Sequence, residues 1–381
     1  MRPASPAEKR RLHDTFAALC AIPSPIGAER AVADRVIADL ASMGLGVEED
    51  DAGARLGGTA GNLLARIPAR TEDARTIMLC AHLDTVAVTG PIEPVIEDDG
   101  WTNRHDAILG ADNKAAVAVI LEVARRVALE SSPVGLELVF TVAEEDALAG
   151  AKLFDVGQLR SEWGYVFDHA TPIGEVIVAA PTYYRFLATF HGRAAHAGIR
   201  PEDGSSAVLA ASRAIAAMPL GRIDEQTTAN IGHLQGGVPG ATNIVAEWCS
   251  VLGECRSLDE SRADALIGEL VAHLQDAAND PTAPCDVDVD VERLFTGYRH
   301  RPQAPSVLAA EAALSACGYT PERIVTGGGS DAAAFEVAGL PCTNLANGTE
   351  RNHQPDERVA VAALEGMLDV TLALLDACAE A

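Results

Sequence analysis

The sequence predicts an α/β domain, a mixed sheet between helices, that is interrupted by an inserted ferredoxin-like α+β domain. Three observations lead to this prediction. Short apolar runs alternate with helical periodicity in the first half of the chain, strand-like alternation dominates after about residue 180, and helix–strand alternation resumes after Pro302. A chain of 381 residues suits two domains. We place the outer domain at residues 1–180 and 297–381 and the inserted domain at residues 181–296.

The outer domain is predicted from its apolar runs and its helix breakers. Residues 7–43 predict two helices that are broken at Pro23-Ser24-Pro25. Residues 90–108 contain prolines and glycine and indicate a loop or hairpin. The remaining predictions are strands at residues 62–67, 77–81, 136–142 and 165–168, and helices at residues 115–129, 304–317 and 360–379.

The inserted domain is predicted from a β-α-β-β-α-β order, which is typical of a compact sheet with both helices on one face. An insertion enters at a loop whose ends lie close together, so the outer domain can close around it. The predicted strands are residues 183–191, 228–234, 244–253 and 286–292, and the predicted helices are residues 205–218 and 258–278.

Composition narrows the classes of partner and the compartment. The formal net charge of −26 argues against binding to the phosphate backbone of nucleic acids, because too few Lys and Arg residues are present to neutralise it. No stretch reaches the roughly 20 apolar residues of a membrane span. Eight scattered cysteines, without a Cys-x-x-Cys pair, suit reduced thiols. We therefore expect a cytoplasmic protein that binds neither nucleic acid nor membrane.

Polar residues of the outer domain lie where predicted strands end, which is where open α/β sheets place their sites. His82 and Asp84 are two residues apart, so both side chains point to one face. Imidazoles together with several carboxylates suit zinc, manganese or cobalt. One carboxylate can bridge two such ions about 3.5–4 Å apart. The candidate residues are His82, Asp84, Asp112, Glu144, Glu145, Asp168 and His353.

Each candidate has an ordinary structural interpretation when it is taken alone. A strand-end histidine is often a satisfied core residue, and Asp112 is compatible with a helix cap. Adjacent acids usually lie on a solvated surface, as we interpret Glu48-Glu49. The chosen acids differ because apolar strands run directly into them.

The segments that carry these residues resemble a known enzyme family. Ala81-His-Leu-Asp-Thr-Val86, Leu109-Gly-Ala-Asp-Asn-Lys-Ala-Ala116 and Glu144-Glu145 look like the dinuclear-metal exopeptidase and deacylase family, which includes peptidase T, glutamate carboxypeptidase, acetylornithine deacetylase and succinyl-diaminopimelate desuccinylase. Gly192-Arg-Ala-Ala-His-Ala-Gly198 and Gly327-Gly-Gly-Ser-Asp-Ala332 resemble two further segments of that family. The similarity runs in order from about residue 12 to the end. It is greatest to the peptidase-T-like tripeptidases.

The resemblance implies a centre with two divalent metal ions, with zinc expected and manganese or cobalt as alternatives. His82 and Asp168 would hold one ion, and Glu145 and His353 would hold the other. Asp112 would bridge the two ions. The family also has a cis peptide bond after this aspartate, which we expect between Asp112 and Asn113.

The resemblance also assigns roles in catalysis. Asp84 would fix the tautomer and orientation of His82. Glu144 would be the general base that takes a proton from the attacking water and passes it to the leaving amine. His196 would stabilise the oxyanion, in this family often from a partner subunit, and we therefore expect a homodimer through the inserted domain. The residues expected to hold the substrate's carboxylate or backbone are Asn243, Arg256, Gly328, Gly329 and Ser330.

Three functions from different classes are compatible with these residues. The first is an aminotripeptidase-like exopeptidase acting on short peptides. The second is an N-acyl amino acid deacylase or a carboxypeptidase-type amidohydrolase, which would use the same two-metal centre. The third is a catalytically inactive binding protein. The five ligand positions and Glu144 are all present, which argues against the third function. The first two share their metal residues, so the sequence separates them poorly.

Overall fold

The computed structural model describes residues 1–282 and 284–381. Contacts between residues group the chain into two units. The first unit comprises Met1–Ala179 and Arg299–Ala381, and the second comprises Ala180–Tyr298.

The helices and strands are numbered here in chain order. Residues 1–180 contain α1 Pro6–Cys20, α2 Arg30–Ser42, β1 Val47–Glu49, α3 Ala52–Leu56, β2 Leu63–Ile67, β3 Thr76–His82, β4 Pro94–Glu97, β5 Gly100–Asn103, α4 Ala111–Glu130, β6 Gly135–Thr141, α5 Ala149–Leu153, β7 Trp163–His169 and β8 Glu175–Ala180. The middle of the chain contains β9 Thr182–His191, α6 Ala207–Ala217, β10 Gly221–Asp224, β11 Thr227–Gly236, β12 Trp248–Ser257, α7 Glu260–Ala278, β13 Asp286–Phe295 and β14 Tyr298–Arg299. The last part contains α8 Pro305–Ala316, β15 Glu322–Val325, α9 Asp331–Val337, β16 Cys342–Ala346, β17 Thr349–Glu350, β18 Arg358–Ala360 and α10 Val361–Glu380.

A mixed sheet forms the centre of the first unit, with the strand order β1-β2-β6-β3-β7-β16-β8 and with β15 parallel to β8. The strand β3 pairs in parallel with β6 and with β7, and β7 pairs in parallel with β16. The carboxyl ends of these four strands therefore meet at one edge of the sheet. The loops that leave this edge are where the sequence places its candidate ligands.

The strands of this sheet are deeply buried, which explains why they appear as apolar runs in the sequence. Every residue of β6 is buried, and β3 is buried from Ile77 onward, as expected for parallel strands that are covered on both faces. The helices α1, α2, α8 and α10 contact α4 or one another, and α3, α5 and α9 form a second chain of contacts. Each fully buried Leu or Val contributes about 1.5–3 kcal/mol to stability. A mixed sheet between helices confirms the predicted fold class of the outer domain.

The second unit is an antiparallel sheet with the order β10-β11-β12-β9-β13. Alternate residues of β9, such as Phe186 and Phe190, are buried against α6 and α7, while Arg185 and Leu187 face the opposite side. The order of β11, β12, β9 and β13 is the ferredoxin-like arrangement that was predicted. The additional edge strand β10 was not predicted, because four residues carry too little periodicity.

One predicted strand of the second unit is displaced. The sequence predicts a strand at residues 244–253, whereas β12 is Trp248–Ser257. The apolar residues at the start of the predicted strand resemble a buried run, but Ile244 makes only an isolated bridge, with His196. In the first unit the short elements α9, β15 and β16 were not assigned individually, although helix–strand alternation was expected there.

No helix in the described ranges 1–282 and 284–381 is both long enough and apolar enough to cross a membrane. Seven of the cysteines are free thiols, namely Cys20, Cys80, Cys249, Cys255, Cys317, Cys342 and Cys378.

Candidate metal centre

His82 ends β3 and lies at the centre of the candidate site. Its side chain is 1% exposed, and its Nε2 lies 3.2 Å from Asp112 Oδ1 and 3.8 Å from Asp168 Oδ1. Its Nδ1 lies 3.0 Å from the backbone oxygen of Asp84 and 3.5 Å from Asp84 Oδ1. A neutral ring that donates from Nδ1 to Asp84 presents its Nε2 lone pair to the other acids, as a metal ligand must.

The other candidate ligands fall into two groups that share His82. One group contains His82, Glu144 and Asp168, and the other contains His82, Asp112 and Glu145. Within each group the potential ligand atoms lie within 4.8 Å of one another. His353 lies beside the second group, with its Nε2 2.7 Å from Glu145 Oε1 and 3.4 Å from Asp112 Oδ2. The structure thus brings together the five sequence-predicted ligands and Glu144.

A sharp turn after β6 delivers the two adjacent glutamates. Ala143 adopts a left-handed backbone with φ of 50°. Asp84 Oδ1 accepts a hydrogen bond from the backbone N–H of Glu144, and Asp84 Oδ2 accepts one from that of Glu145, both at 3.0 Å. Asp84 therefore holds the glutamate turn as well as His82, which is more than the sequence indicated.

Asp112 is delivered by an irregular start of α4. Gly110 is the N-cap residue, with a left-handed φ of 75°, and Asp112 and Asn113 have non-helical backbone angles within the first turn. The peptide bond between Asp112 and Asn113 is cis, which confirms the expectation from the family resemblance.

Burial and mutual repulsion shift the ionisation of the acids. Burial, reinforced by the charge of Asp112, raises the pKa of Asp168 to about 6. Burial and the charge of Asp168 raise the pKa of Glu144 well above its ordinary value. Burial alone would lower the pKa of His82, but hydrogen bonds to Asp112, Asp168 and Asp84 raise it well above its ordinary value.

These residues fit a pair of divalent cations. In the part of the chain that the structure describes, the recorded ion pairs of Asp112, Glu145 and Asp168 are all with His82 or His353. Glu145 Oε1 is buried without a hydrogen-bond donor, since its close approach to His353 lacks hydrogen-bond geometry. Buried carboxylates in such excess require positive charge, which two divalent ions would supply.

The glycine-rich loop of the first unit precedes α9. Gly328 and Gly329 lie in an irregular segment, and the backbone N–H of Gly328 donates to Thr326 Oγ1. Ser330 is buried and is the N-cap residue of α9, without a side-chain cap hydrogen bond. The next residue, Asp331, is buried and accepts a 2.5 Å hydrogen bond from Thr141.

The predicted substrate residues of the second unit form two separate places. His196 and Asn243 are neighbours, because the backbone N–H of Ala197 donates to the oxygen of Asn243 at 2.9 Å. Arg256 lies near the far end of β12, where it pairs with Glu254 and stacks over the ring of Tyr183 at 4.0 Å. The structure therefore does not bring Arg256 together with His196 and Asn243 within one chain.

Sequence reasoning missed three residues that hold the ligands. Glu357 accepts hydrogen bonds from the backbone N–H groups of Gly110 and Asp112. Asn352 Nδ2 donates to Asp112 Oδ2 at 2.8 Å. Asn344 binds the backbone of Asp168 through both ends of its amide, at 2.9 Å each. Two weak signals of these residues are present in the sequence. Asn344 is a polar residue inside an apolar run, and Glu357 is an acid four residues after His353.

Comparison with solved structures decides the family. Aminopeptidase PepT of Bacillus cereus has a TM-score of 0.89 and 35% identity, over 97% of this chain and 99% of that one. A tripeptidase from Staphylococcus aureus has a TM-score of 0.93 and 31% identity, over 98% and 99%. The sequence profile of the M20 peptidase dimerisation domain matches residues 183–281. The chain belongs to the M20 peptidase family.

Other relatives of this M20 peptidase agree with that assignment. The uncharacterised protein YqjE of Bacillus subtilis is 35% identical over 373 residues, which is 98% of this chain and 99% of YqjE. Peptidase T of Vibrio cholerae is 28% identical over 288 residues, 74% of this chain and 67% of its own length. The profile of peptidase family M28 matches residues 62–167, the range that contains His82, Asp112 and both glutamates. The resemblance to the peptidase-T-like group is therefore confirmed, and the chain is a metal-dependent peptidase.

Proposed function

We propose that this M20 peptidase removes the N-terminal residue from tripeptides and similar short peptides with the aid of two divalent metal ions. The observation that carries the proposal is the convergence of two ligand groups on His82 at one edge of the sheet, in a chain that is 35% identical to an aminopeptidase over 97% of its length. Two structural relatives above 30% identity bear the names aminopeptidase and tripeptidase, which favours peptide substrates over N-acyl amino acids.

The ligand assignment follows the family resemblance, and the short distances among these side chains support it. In this proposal His82 and Asp168 would hold one ion, Glu145 and His353 would hold the other, and Asp112 would contact both. The mixture of imidazole and carboxylate donors suits zinc, with manganese and cobalt as alternatives. When bound, the ions act as Lewis acids that polarise the scissile carbonyl and the attacking water.

Glu144 is the proposed general base. It takes a proton from the water as the water oxygen attacks the carbonyl carbon, and it gives that proton to the amine nitrogen as the C–N bond breaks. Its backbone is fixed by Asp84, and its carboxylate lies beside His82 and Asp168. Glu145, whose backbone is fixed by the other oxygen of Asp84, serves as a ligand.

The distance between His196 and Arg256 supports a homodimer. The register of β12 with β9 pairs Trp248 with His191 and Arg256 with Tyr183, so eight strand positions, about 26 Å, separate the two ends. His196 lies beyond the Trp248 end. An extended tripeptide spans at most about 11 Å. A single substrate that binds Arg256, and whose oxyanion accepts a hydrogen bond from a His196, must therefore contact these two residues on different chains.

The remaining assignments follow from this arrangement. We propose that residues 181–296 form the lid and dimerisation domain, which the profile match at residues 183–281 supports. We propose that His196 of the partner subunit binds the oxyanion. Arg256, Asn243 and the loop of Gly328, Gly329 and Ser330 would bind the substrate's carboxylate and backbone. Free cysteines such as Cys20, Cys80 and Cys342 support a cytoplasmic location.

A product analysis tests the proposed specificity. The purified protein, supplied with zinc or manganese, is incubated with tripeptides of three different residues and, separately, with N-acyl amino acids. The expected products are the free N-terminal residue and the C-terminal dipeptide, identified by mass spectrometry. Release of the C-terminal residue first, or faster hydrolysis of the N-acyl amino acids, would replace this proposal with a carboxypeptidase or deacylase function.

A further inference from the structure

The start of α4 receives its cap from a residue far away in the chain. The N-cap residue Gly110 has no side chain to accept hydrogen bonds from the first turn. Instead, Glu357 Oε2 accepts from the backbone N–H of Gly110 at 2.8 Å, and Glu357 Oε1 accepts from that of Asp112 at 2.9 Å. The Glu357 side chain is buried, with 1% of the residue exposed. Both carboxylate oxygens are thus used to hold the turn that carries Asp112.

The same carboxylate belongs to the loop that carries His353. The loop is closed by hydrogen bonds from the backbone N–H of Glu357 to the oxygen of Gln354 at 3.0 Å and from Arg351 Nε to the oxygen of Asp356 at 3.0 Å. A second contact joins the two segments, because Asn352 Nδ2 donates to Asp112 Oδ2 at 2.8 Å. Residues 110–112 and 351–357 are therefore fastened together at the Asp112 backbone and at its side chain.

We propose that Glu357 is a positioning residue of the metal centre, which holds Asp112 against the His353 loop and thereby sets the affinity for metal. Asp112 and His353 are proposed ligands of one ion, so this inference rests on the proposed function. Glu357 itself is not a proposed ligand of either ion or of the substrate. It acts through the backbone of Asp112, and Asn352 supports it through the side chain of Asp112.

The chemistry of the contact explains why a carboxylate is needed. Two backbone N–H groups face Glu357, and a carboxylate offers one oxygen to each in charge-assisted hydrogen bonds. A glutamine in the same place offers one oxygen and one N–H donor, so one backbone N–H would face another donor. The negative charge also lies at the N-terminal end of a 20-residue helix, where the helix dipole favours it. Glu357→Gln changes few atoms and disturbs this arrangement selectively.

The test compares metal affinity in two matched variants of the full chain. Glu137 is also 1% exposed, and its Oε2 accepts from the backbone N–H groups of Arg160 and Ser161 at 2.9 Å each, but it lies on β6 among residues outside the candidate site. Metal-free wild type, Glu357→Gln and Glu137→Gln are titrated with zinc against a chromophoric chelator, and their thermal unfolding is followed without metal. Loss of a partner that orients a ligand typically lowers metal affinity about 10–100-fold.

In Glu357→Gln we expect the affinity for at least one ion to fall by about 10–100-fold. In Glu137→Gln we expect the wild-type affinity for metal, despite a similar loss of thermal stability. Wild-type affinity for both ions in Glu357→Gln would overturn the inference. If Glu357→Gln fails to fold, Asn352→Ala serves instead, since Asn352 is half-buried, and a loss of about tenfold is expected. Unchanged affinity in that variant would likewise overturn the inference. A wild-type protein that binds no zinc would overturn the proposed centre itself, and this inference with it.

Discussion

Asp84 Oδ1 accepts a hydrogen bond from the backbone N–H of Glu144 at 3.0 Å, which joins the end of β3 to the turn after β6. Asp84 Oδ2 accepts a hydrogen bond from the backbone N–H of Glu145 at the same distance. The backbone oxygen of Asp84 lies 3.0 Å from His82 Nδ1. One fully buried aspartate therefore orients a proposed ligand of each ion and the proposed base. Its carboxylate acts on the glutamate turn, and its backbone acts on the histidine.

Asp84→Asn is expected to weaken metal binding and to slow turnover. An asparagine has one acceptor oxygen, so the backbone N–H of either Glu144 or Glu145 loses its partner. The expected losses are about 10–100-fold in metal affinity, measured by competition with a chelator. Asp259→Asn is the control, because Asp259 also accepts two backbone hydrogen bonds but caps α7 in the second unit. Equal metal affinity in the two variants would contradict the role of Asp84.

Glu144→Gln is expected to retain two metal ions and the fold while it loses most of its turnover. The substitution removes the group that accepts a proton and leaves the five proposed ligands in place. General acid–base groups contribute about 10²–10⁴-fold to rate, so kcat should fall by that factor. Asp146→Asn removes an exposed acid two residues away and should leave kcat unchanged. A Glu144→Gln variant with near-normal kcat would show that another group is the base.

Glu8 is expected to stabilise the first unit at neutral pH and to lose this effect in acid. Burial would raise the pKa of Glu8, but hydrogen bonds from Arg126 at 2.6 Å and from Ser5 hold it well below its ordinary value of 4.5. A depressed pKa means that the contribution of this carboxylate is fully present above about pH 5 and is lost as the pH falls below it. Glu8→Gln should lower the free energy of unfolding by about 1.5–3 kcal/mol at pH 7.

The measurement is urea unfolding of wild type and Glu8→Gln at pH 7 and at about pH 3.5, where the difference should shrink. Glu130→Gln, which removes the exposed partner of Arg2, should cost at most about 1 kcal/mol. A Glu8→Gln effect that stays constant with pH would show that packing, and not charge, is what Glu8 contributes.

Mixed dimers test whether His196 acts across a subunit interface. Glu144→Gln and His196→Ala should each be nearly inactive, since the loss of one oxyanion donor costs about 10²–10³ in kcat. A mixed dimer has one site with an intact Glu144 and a partner's intact His196. After random exchange of equal amounts, activity should return to about a quarter of the wild-type value. Mixtures that stay inactive after proven exchange, or a monomeric protein by light scattering, would contradict the proposal.

Periodicity and local motifs predicted the strands and the polar residues at their ends, because each of these features depends on a short stretch of chain. The strands that end at His82, Thr141 and His169 are buried apolar runs, and the polar residues that follow them mark the edge of the sheet. The inserted domain could be predicted for the same reason, since every second residue of β9 is buried and the residues between them are partly or fully exposed. The family resemblance then supplied the roles of these residues.

What the sequence did not reveal depends on contacts between distant segments. Glu357 and Asp112 are 245 residues apart, and Asn344 and Asp168 are 176 residues apart, so no local pattern links them. The dual role of Asp84 was likewise hidden, because it requires the turn after β6 to approach the end of β3. The separation of His196 from Arg256 became visible only from the strand register.

The proposed centre requires that release of an N-terminal residue depend on two bound metal ions. Protein stripped of metal by a chelator is incubated with a tripeptide of three different residues, and zinc or manganese is added in steps from zero to beyond two equivalents. We expect no cleavage without metal, a maximal rate at two equivalents, and a free N-terminal residue with a C-terminal dipeptide as products. Cleavage by protein that is verified to be metal-free, or a rate that is already maximal at one equivalent, would contradict a two-metal mechanism.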